Sequence, residues 1–338
     1  MRGHPDIRRR LLFVFAGFGT AAVATCLWAP LVGGLPIHLA RVFDRSIPFA
    51  DNVDAQVFFI ARLPRVLAAA LVGSGFAAAG VVFQALLRNP IASPDTLGVS
   101  AGATLGATLA IVFHADFMVL GVAAVPLASF AGSVGALGIV LLLAAARRRG
   151  SSSTVLLLAG VALSALLSAV VTFARYLSDS TETFRTARWL LGSLDVGGYS
   201  QIVAALVPMT IAFAGFATLP RVLDLISMGR AAAEARGVDV VRSERIALLS
   251  ASLSTGAAVA LAGPVVFVGI IVPHLVRLIV GADHRVVLPA AVFFGAAFLV
   301  VCDTIARTAF APVDVPVGVI TAILGGPVFL WLLFRRDR

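Results

Sequence analysis

Residues 65–88 read RVLAAALVGSGFAAAGVVFQALLR, and this stretch decides the fold class. Between Arg65 and Arg88 no charged residue occurs, and the length suits the roughly 20 apolar residues that cross a bilayer as a helix. The whole chain has this character: 60% of its 338 residues are hydrophobic, 13% are charged, and its mean hydropathy is +1.02. This composition excludes a water-soluble globule and a disordered chain, and it predicts an all-α, polytopic membrane protein.

Intervals without Asp, Glu or Arg recur along the chain and define the candidate membrane spans. The interval 246–276 is interrupted by Gly263-Pro264 and by Pro273, so we divide it in two, because proline breaks a helix. The result is one membrane domain, residues 1–338, with ten transmembrane helices. The candidate spans are 10–31, 63–87, 96–114, 117–146, 152–175, 198–219, 245–262, 266–280, 286–302 and 315–334.

The distribution of arginine predicts the orientation of these spans. All 26 basic residues are arginine, and clusters at 2–10 and 335–338 predict that both termini lie in the cytoplasm. An even number of spans is then required. With ten spans, 18 arginines fall on cytoplasmic segments and 8 on outer ones. The uncharged run 11–40 is too long for a cleavable signal peptide, so we expect it to hold the first span.

A weak internal echo relates two of the spans. RVLAAALVGSGFAAAGVVF (65–83) is similar to RIALLSASLSTGAAVALAGPVVF (245–267), and in the ten-span order these helices run in opposite directions. Inverted repeats of this kind are common in transporters. The echo therefore indicates an inverted repeat.

Several classes of chemistry have no residues to support them. Without lysine the chain cannot form a Walker-type phosphate loop or a Schiff base, and Cys26 and Cys302 form no metal-binding pattern. Residues 98–102 match G-x-S-x-G, but no strand is expected before Ser100, so helix packing is favoured over an intramembrane hydrolase. We therefore expect a non-enzymatic protein without a metal site, a cofactor or a nucleic-acid partner.

Three arginines are predicted at the outer surface. Arg62 and Arg65 stand at the mouth of the second span, and Arg307 lies just beyond the ninth. They predict an exposed basic rim that docks an acidic partner or captures an anionic solute, since guanidinium groups pair well with carboxylates. Ordinary anchoring at the membrane interface is the alternative.

The fifth span carries a stripe of small and weakly polar residues. They recur every four residues and so share one helical face, which indicates either a solute path or a packing seam. A basic residue at the end of this face favours an anionic solute. The members are Gly160, Ser164, Ser168, Thr172 and Arg175.

The longest polar stretch, residues 221–244, is predicted to be cytoplasmic. Its centre, residues 231–236, favours a short helix, and Gly237 is expected to end it, because glycine tolerates the left-handed backbone there. Such a helix suits either a docking lever or a plain surface connector.

Taken together, these motifs resemble a known family. The segments RLPRVLAAALVGSGFAAAGVVFQALLRNPIASPDTLGVSAGATLGA, LLLAGVAL, WLLGSL, the AxxxGV turn at 233–238, AGPVVFVGIIVPHLVRLIVGADHR, CDTIAR and PVGVITAILGGPVFLWLL follow one another between Arg62 and Leu333. Their order and content are similar to those of bacterial iron-chelate, heme and cobalamin uptake permeases of ATP-driven importers.

The resemblance implies a multi-pass permease in the bacterial inner membrane. It implies a homodimer around a central pathway, two cytoplasmic ATPase subunits and a periplasmic solute-binding protein that docks on Arg62, Arg65 and Arg307. Asn89 and Ile91 correspond to the family's cytoplasmic gate, with isoleucine in place of the usual leucine. The segment expected to couple to the ATPase comprises Gly229, Ala232, Ala233, Glu234, Arg236, Gly237 and Val238.

The expected function is import of an iron chelate, heme or a ferric siderophore, by alternating access. A cobalamin permease of the same family is one alternative. A secondary transporter that works without ATP is another, disfavoured because no carboxylate falls inside the predicted spans to relay protons.

Overall fold

The structure, a computed structural model, describes residues 7–93, 97–146 and 153–335, and these are mostly helical. A π-helical turn at Phe15–Gly19 joins the first two helices, a 3₁₀ turn at Ala29–Leu31 follows, and a second π-helical segment lies at Val57–Arg62. The helices are α1 (Ile7–Val14), α2 (Thr20–Trp28), α3 (Leu39–Val42), α4 (Val53–Gln56), α5 (Leu63–Leu86), α6 (Val99–Val112), α7 (Ala124–Ala146), α8 (Ser153–Tyr176), α9 (Ser180–Leu190), α10 (Tyr199–Thr218), α11 (Pro220–Ser227), α12 (Arg230–Glu234), α13 (Val240–Ala262), α14 (Val268–Val280), α15 (His284–Thr308) and α16 (Val317–Arg335).

Seven helical runs in the described ranges are long and apolar enough to cross a membrane. They are Ile7–Leu31, Val53–Leu86, Ala124–Leu143, Leu157–Tyr176, Tyr199–Thr218, Val240–Ala262 and His284–Thr308. Three shorter apolar helices are Val99–Val112, Val268–Val280 and Val317–Trp331. Each of these helices overlaps one of the ten predicted spans, and ten crossings stay a prediction.

The bounds of several spans differ from those predicted. Residues 117–123 do not begin a helix: Met118–Val119 (β1) and Val122–Ala123 (β2) form an antiparallel hairpin. Its two turn residues, Leu120 and Gly121, both have positive φ, which is the geometry of a tight hairpin turn. The second predicted span, 63–87, lies in a helical run that already starts at Val53.

The helix around 286–302 is also longer than predicted. It continues to Thr308 and so contains Asp303, which is fully buried. The expectation of carboxylate-free spans is therefore wrong at this position. Within this helix Asp303 pairs with Arg307, one turn further along the same face.

Helix α5 lies at the centre of the bundle. It packs against α13, α14 and α15 and is buried along most of its length. Its small residues permit this: a side chain at Gly73 would collide with the backbone of Gly295, and one at Gly80 with the backbone of Gly269. Close approach of helix backbones replaces the hydrophobic effect as the source of packing energy in lipid.

The two helices of the sequence echo, α5 and α13, pack directly on each other. The hydroxyl of Ser254 donates to the carbonyl of Gly75 at 3.2 Å, and both helices are largely buried. The inverted repeat itself stays a prediction.

Candidate functional site

The three predicted arginines lie together at the α5–α15 contact. Arg65 Nε lies 2.9 Å from Oδ1 of Asp303, and Arg307 Nε lies 3.1 Å from Oδ2 of the same carboxylate. Arg65 Nη1 also lies 3.2 Å from Oδ2 of Asp314. We call Arg62, Arg65, Asp303, Arg307 and Asp314 the arginine cluster.

An exposed rim is the wrong description for two of these arginines. Arg62 and Arg307 are 6% and 8% exposed, because their guanidinium groups turn inward to the chain that leaves the first helical run. Arg62 donates to the carbonyls of Pro30 and Leu35. Arg307 donates to those of Ala29 and Val32, at 3.2 and 3.3 Å. These bonds fix the loop after the first helical run against α5 and α15.

The cluster nevertheless faces an open cavity. This cavity, of about 680 Å3, is bounded by Arg62, Arg65, Arg307, Asp314 and the loop around Gly33-Gly34. The Asp314 side chain is 60% exposed and that of Arg65 is 14% exposed. Three guanidinium groups against two carboxylates leave a net positive charge, so the cavity suits an anionic group.

Sequence reasoning missed both acidic members of the cluster. Asp303 precedes Arg307 by four residues within CDTIAR, a spacing that puts the two on one helical face and could have indicated the pair. Asp314 lies on the loop after α15, and no local pattern relates it to Arg65 on α5.

The face of α8 that carries the small and weakly polar residues is covered by the rest of the chain at one end only. Gly160 is buried near Gly98, at the start of α6, and Ser164 is half-buried there. Further along, Ser168 and Thr172 are exposed, so within one chain this part of the stripe is not a packing seam. Arg175, at the end of the face, is half-buried, and its Nε has no hydrogen-bond partner among the described residues.

The predicted gate residues lie on a tight turn after α5. The backbone NH of Asn89 donates to the carbonyl of Gln84 at 3.1 Å, and its side-chain oxygen accepts from the NH of Ile91 at 3.1 Å. This rigid turn presents Ile91 as a 46% exposed apolar side chain. An apolar side chain on a fixed turn is suited to closing a narrow passage.

The segment 221–244 forms α11, α12 and the first turn of α13. The predicted glycine terminus is confirmed: Gly237 has φ +78°, and its NH donates to the carbonyl of Glu234 at 2.9 Å. Ile226, Ala233 and Val240 form a small hydrophobic core of their own. Through this core α12 packs on both α11 and α13.

The positions matched to the family's coupling segment lie close together around α12, and Ala233 is buried among them. Gly229 precedes α12, and Ala232, Ala233 and Glu234 belong to it. Arg236, Gly237 and Val238 form the turn that follows, in which the NH of Val238 donates to the carbonyl of Ala233 at 3.2 Å.

Sequence reasoning missed two polar contacts near this end of the bundle, one from the segment 221–244 to α15 and one between α14 and α5. Asp224 on α11 accepts from the backbone NH of His284 at 3.0 Å, and its Oδ1 lies 2.6 Å from His284 Nδ1, at the start of α15. Arg277 on α14 donates to the side chain of Gln84, just before the gate turn. A guanidinium and an imidazole therefore lie at the junction of α5, α11, α14 and α15.

Ser100 shows none of the context of a nucleophile elbow. It is buried in the first turn of α6, and the only strands in the described ranges are β1 and β2, both later in the chain. Gly102, from the same motif, lies against the backbone of Gly132 on α7. Helix packing is thus the role of this motif.

Comparison with known proteins gives a consistent result. Residues 21–335 match the FecCD transport family. The chain is 41% identical to the Fe(3+) dicitrate transport system permease protein FecD of Escherichia coli, over 94% of this chain and 97% of that protein. It is 39% identical to the hemin transport system permease protein HmuU of Yersinia pestis, over 93% of each chain. It is 41% identical to the cobalamin import system permease protein BtuC of Halobacterium salinarum, over 90% of this chain and 81% of that protein.

A solved structure is similar along nearly the whole length. This chain superposes with a TM-score of 0.81 and 31% identity on an inward-facing conformation of a metal-chelate type ABC transporter, covering 95% of this chain and 98% of the other. Sequence and fold agree over the same range. The chain belongs to the FecCD transport family.

Proposed function

We propose that this chain is the permease subunit of an ATP-driven importer that moves an iron chelate, heme or a ferric siderophore, into the cytoplasm by alternating access. The match to the FecCD family over residues 21–335 is the observation that carries the proposal. Relatives named for ferric dicitrate and hemin transport support an iron chelate. A relative named for cobalamin import makes cobalamin the alternative cargo.

The proposed assembly is a homodimer in the bacterial inner membrane, with two ATPase subunits on the cytoplasmic side and a binding protein on the periplasmic side. Each chain crosses the membrane ten times, includes an inverted repeat and keeps both termini in the cytoplasm. The excess of arginine on the predicted cytoplasmic segments supports this orientation. A chain without lysine has no Walker-type loop of its own, so ATP hydrolysis belongs to the partner subunits.

In this assembly the α8 faces of two copies border the pathway. Ser168 and Thr172 are exposed in the single chain and offer weakly polar walls to which a bulky solute does not adhere. Arg175, at the end of the same face, favours a chelate with negative charge over a neutral one. The Asn89–Ile91 turn closes the pathway at the cytoplasmic end.

The arginine cluster is the proposed docking point for an acidic binding protein, and it leads to two opposite expectations. Arg65→Gln removes a positive charge from the cavity and is expected to weaken binding of the partner about tenfold. Asp314→Asn removes the exposed acid and is expected to tighten it a few-fold. The measurement is the affinity of the binding protein for the reconstituted importer at low salt, where electrostatic attraction is strongest.

Arg45→Gln is the matched control, because Arg45 is exposed on a loop at the same end of the protein and lies outside the cluster. The affinity of the binding protein for the importer with Arg45→Gln is expected to stay unchanged. If Asp314→Asn also weakened docking, the assignment of this cavity to an acidic partner would be wrong.

The whole proposal is tested by uptake into vesicles. The permease is reconstituted alone or with its ATPase subunits and binding protein, and labelled heme, ferric siderophore and cobalamin are offered in parallel. We expect ATP-dependent uptake of an iron chelate by the complete system only. Gradient-driven movement through the permease alone would instead indicate a secondary transporter, and uptake confined to cobalamin would favour the alternative cargo.

A further inference from the structure

A second cavity lies at the other end of the protein, between α1 and the corner that joins α14 to α15. It has a volume of about 270 Å3 and combines two kinds of wall. Its cationic side is formed by Arg9 and Arg10, and its apolar side is lined by Phe13, Ile279, Val280 and Val286.

The charges around this cavity do not balance. Arg10 Nη1 lies 3.7 Å from Oδ2 of Asp283, and the same oxygen lies 2.8 Å from Nη2 of Arg285. The hydrogen bonds of Arg285 and the charge of Arg10 hold the pKa of Asp283 below its usual range, so the carboxylate stays ionised at neutral pH. Asp224 also acts on Arg285, so among the described residues two negative charges face the three positive charges of Arg9, Arg10 and Arg285.

Of these three arginines, Arg9 has the fewest polar contacts. Its side chain is exposed, and in the part of the chain that the structure describes it makes no hydrogen bond or ion pair. It also lies in the first turn of α1, where the backbone NH groups already present partial positive charge. An anion from outside the protein would relieve this local excess.

The apolar wall indicates what kind of anion fits. Phe13, Leu278 and Ile279 are each more than half exposed and border the cavity or adjoin it. In a membrane protein such side chains face hydrocarbon, so the cationic wall lies at the level where lipid headgroups begin. A ligand with an anionic head and apolar chains contacts both walls, whereas a free phosphate contacts only one.

We propose that this cavity binds the phosphate headgroup of an anionic phospholipid such as phosphatidylglycerol. Arg9 and Arg10 hold the phosphate oxygens, with the planar fork of each guanidinium suited to paired hydrogen bonds. The acyl chains lie along Phe13 and Ile279. This site is independent of the transported solute and of the proposed transport function.

The test measures thermal unfolding of the purified permease in a neutral detergent, titrated with phosphatidylglycerol, phosphatidylcholine or inorganic phosphate. We expect phosphatidylglycerol alone to raise the unfolding temperature at low concentration. Arg9→Gln is expected to weaken this response several-fold, and the double variant Arg9→Gln/Arg10→Gln to abolish it. Arg9→Gln is informative by itself, because Arg9 has no bond to the described protein whose loss would unfold it.

Arg45→Gln is again the matched control, since it removes the same charge at the opposite end of the protein. It is expected to keep the full response to phosphatidylglycerol. The proposal is overturned by an equal response to phosphatidylcholine, by reproduction of the effect with inorganic phosphate, or by an unchanged response in the double variant.

Discussion

Asp303→Ala is expected to destabilise the folded permease by about 3–5 kcal/mol, the usual cost of removing one partner from a buried ion pair. The carboxylate is fully buried and pairs with both Arg65 and Arg307. Its loss leaves Arg307 buried without its carboxylate partner and leaves Arg65 with only the exposed Asp314. The measurement is the free energy of unfolding of the purified protein in detergent or bilayer discs.

Asp314→Ala is the matched control for this prediction. It removes the other carboxylate partner of Arg65, but one whose side chain is 60% exposed. Exposed ion pairs contribute about 1 kcal/mol or less, so we expect little change in stability. Equal losses in the two variants would mean that Asp303 does not act as the buried counter-ion of the cluster.

The second large effect is expected where the coupling segment meets the bundle. Asp224→Ala removes the carboxylate that accepts the backbone NH of His284 and lies 2.6 Å from its imidazole. Helix α11 then loses its polar connection to the start of α15. We expect ATP-driven uptake to fall at least tenfold, because movement of α12 no longer reaches the bundle, while the ATPase subunits still bind and hydrolyse ATP.

The comparison of ATP hydrolysis with uptake separates this effect from simple misfolding. His284→Ala is expected to behave like Asp224→Ala, and the double variant to be no worse than either one, since both residues act through one contact. Arg221→Gln, an exposed change on the same short helix, is the control and should transport normally. Full uptake in Asp224→Ala would show that force reaches the gate by another route.

The contacts around Gln84 connect α14 to the turn after α5. Arg277 donates to the Gln84 side-chain oxygen, and the Gln84 amide donates to the carbonyls of Gly269 and Ile270 at 3.2 and 3.3 Å. Gln84 also anchors the gate turn through its own carbonyl, which accepts from Asn89. A displacement of α14 relative to α5 is therefore expected to shift the turn that carries the proposed gate residues.

The ion pairs of Asp303 indicate a structural role for this residue and not a role in relaying protons. A carboxylate buried inside a spanning helix usually marks an ion pathway. Here two guanidinium groups occupy both of its oxygens, at 2.9 and 3.1 Å. The case against a secondary transporter thus depends on how Asp303 is paired, and no longer on the absence of acids from the spans.

Patterns that depend on neighbouring residues were predictable from the sequence. Charge-free intervals identified the apolar helices, since burial in lipid is set by each segment's own composition. Gly237 was predicted to end a helix because its backbone conformation is a local property. The hairpin at 118–123 was missed, because its short apolar strands look like the start of a membrane helix.

The sequence by itself determined a helical membrane chain, the family it belongs to, and the nearness of Arg62 and Arg65. The tertiary structure decided which groups meet across distant segments: Asp303 with Arg65, Asp224 with His284, and Arg10 with Asp283. Local composition selects each helix, but these pairs depend on how α1, α5 and α11 pack against α15 and the turn before it. No short-range pattern encodes the register between helices that are far apart in the chain.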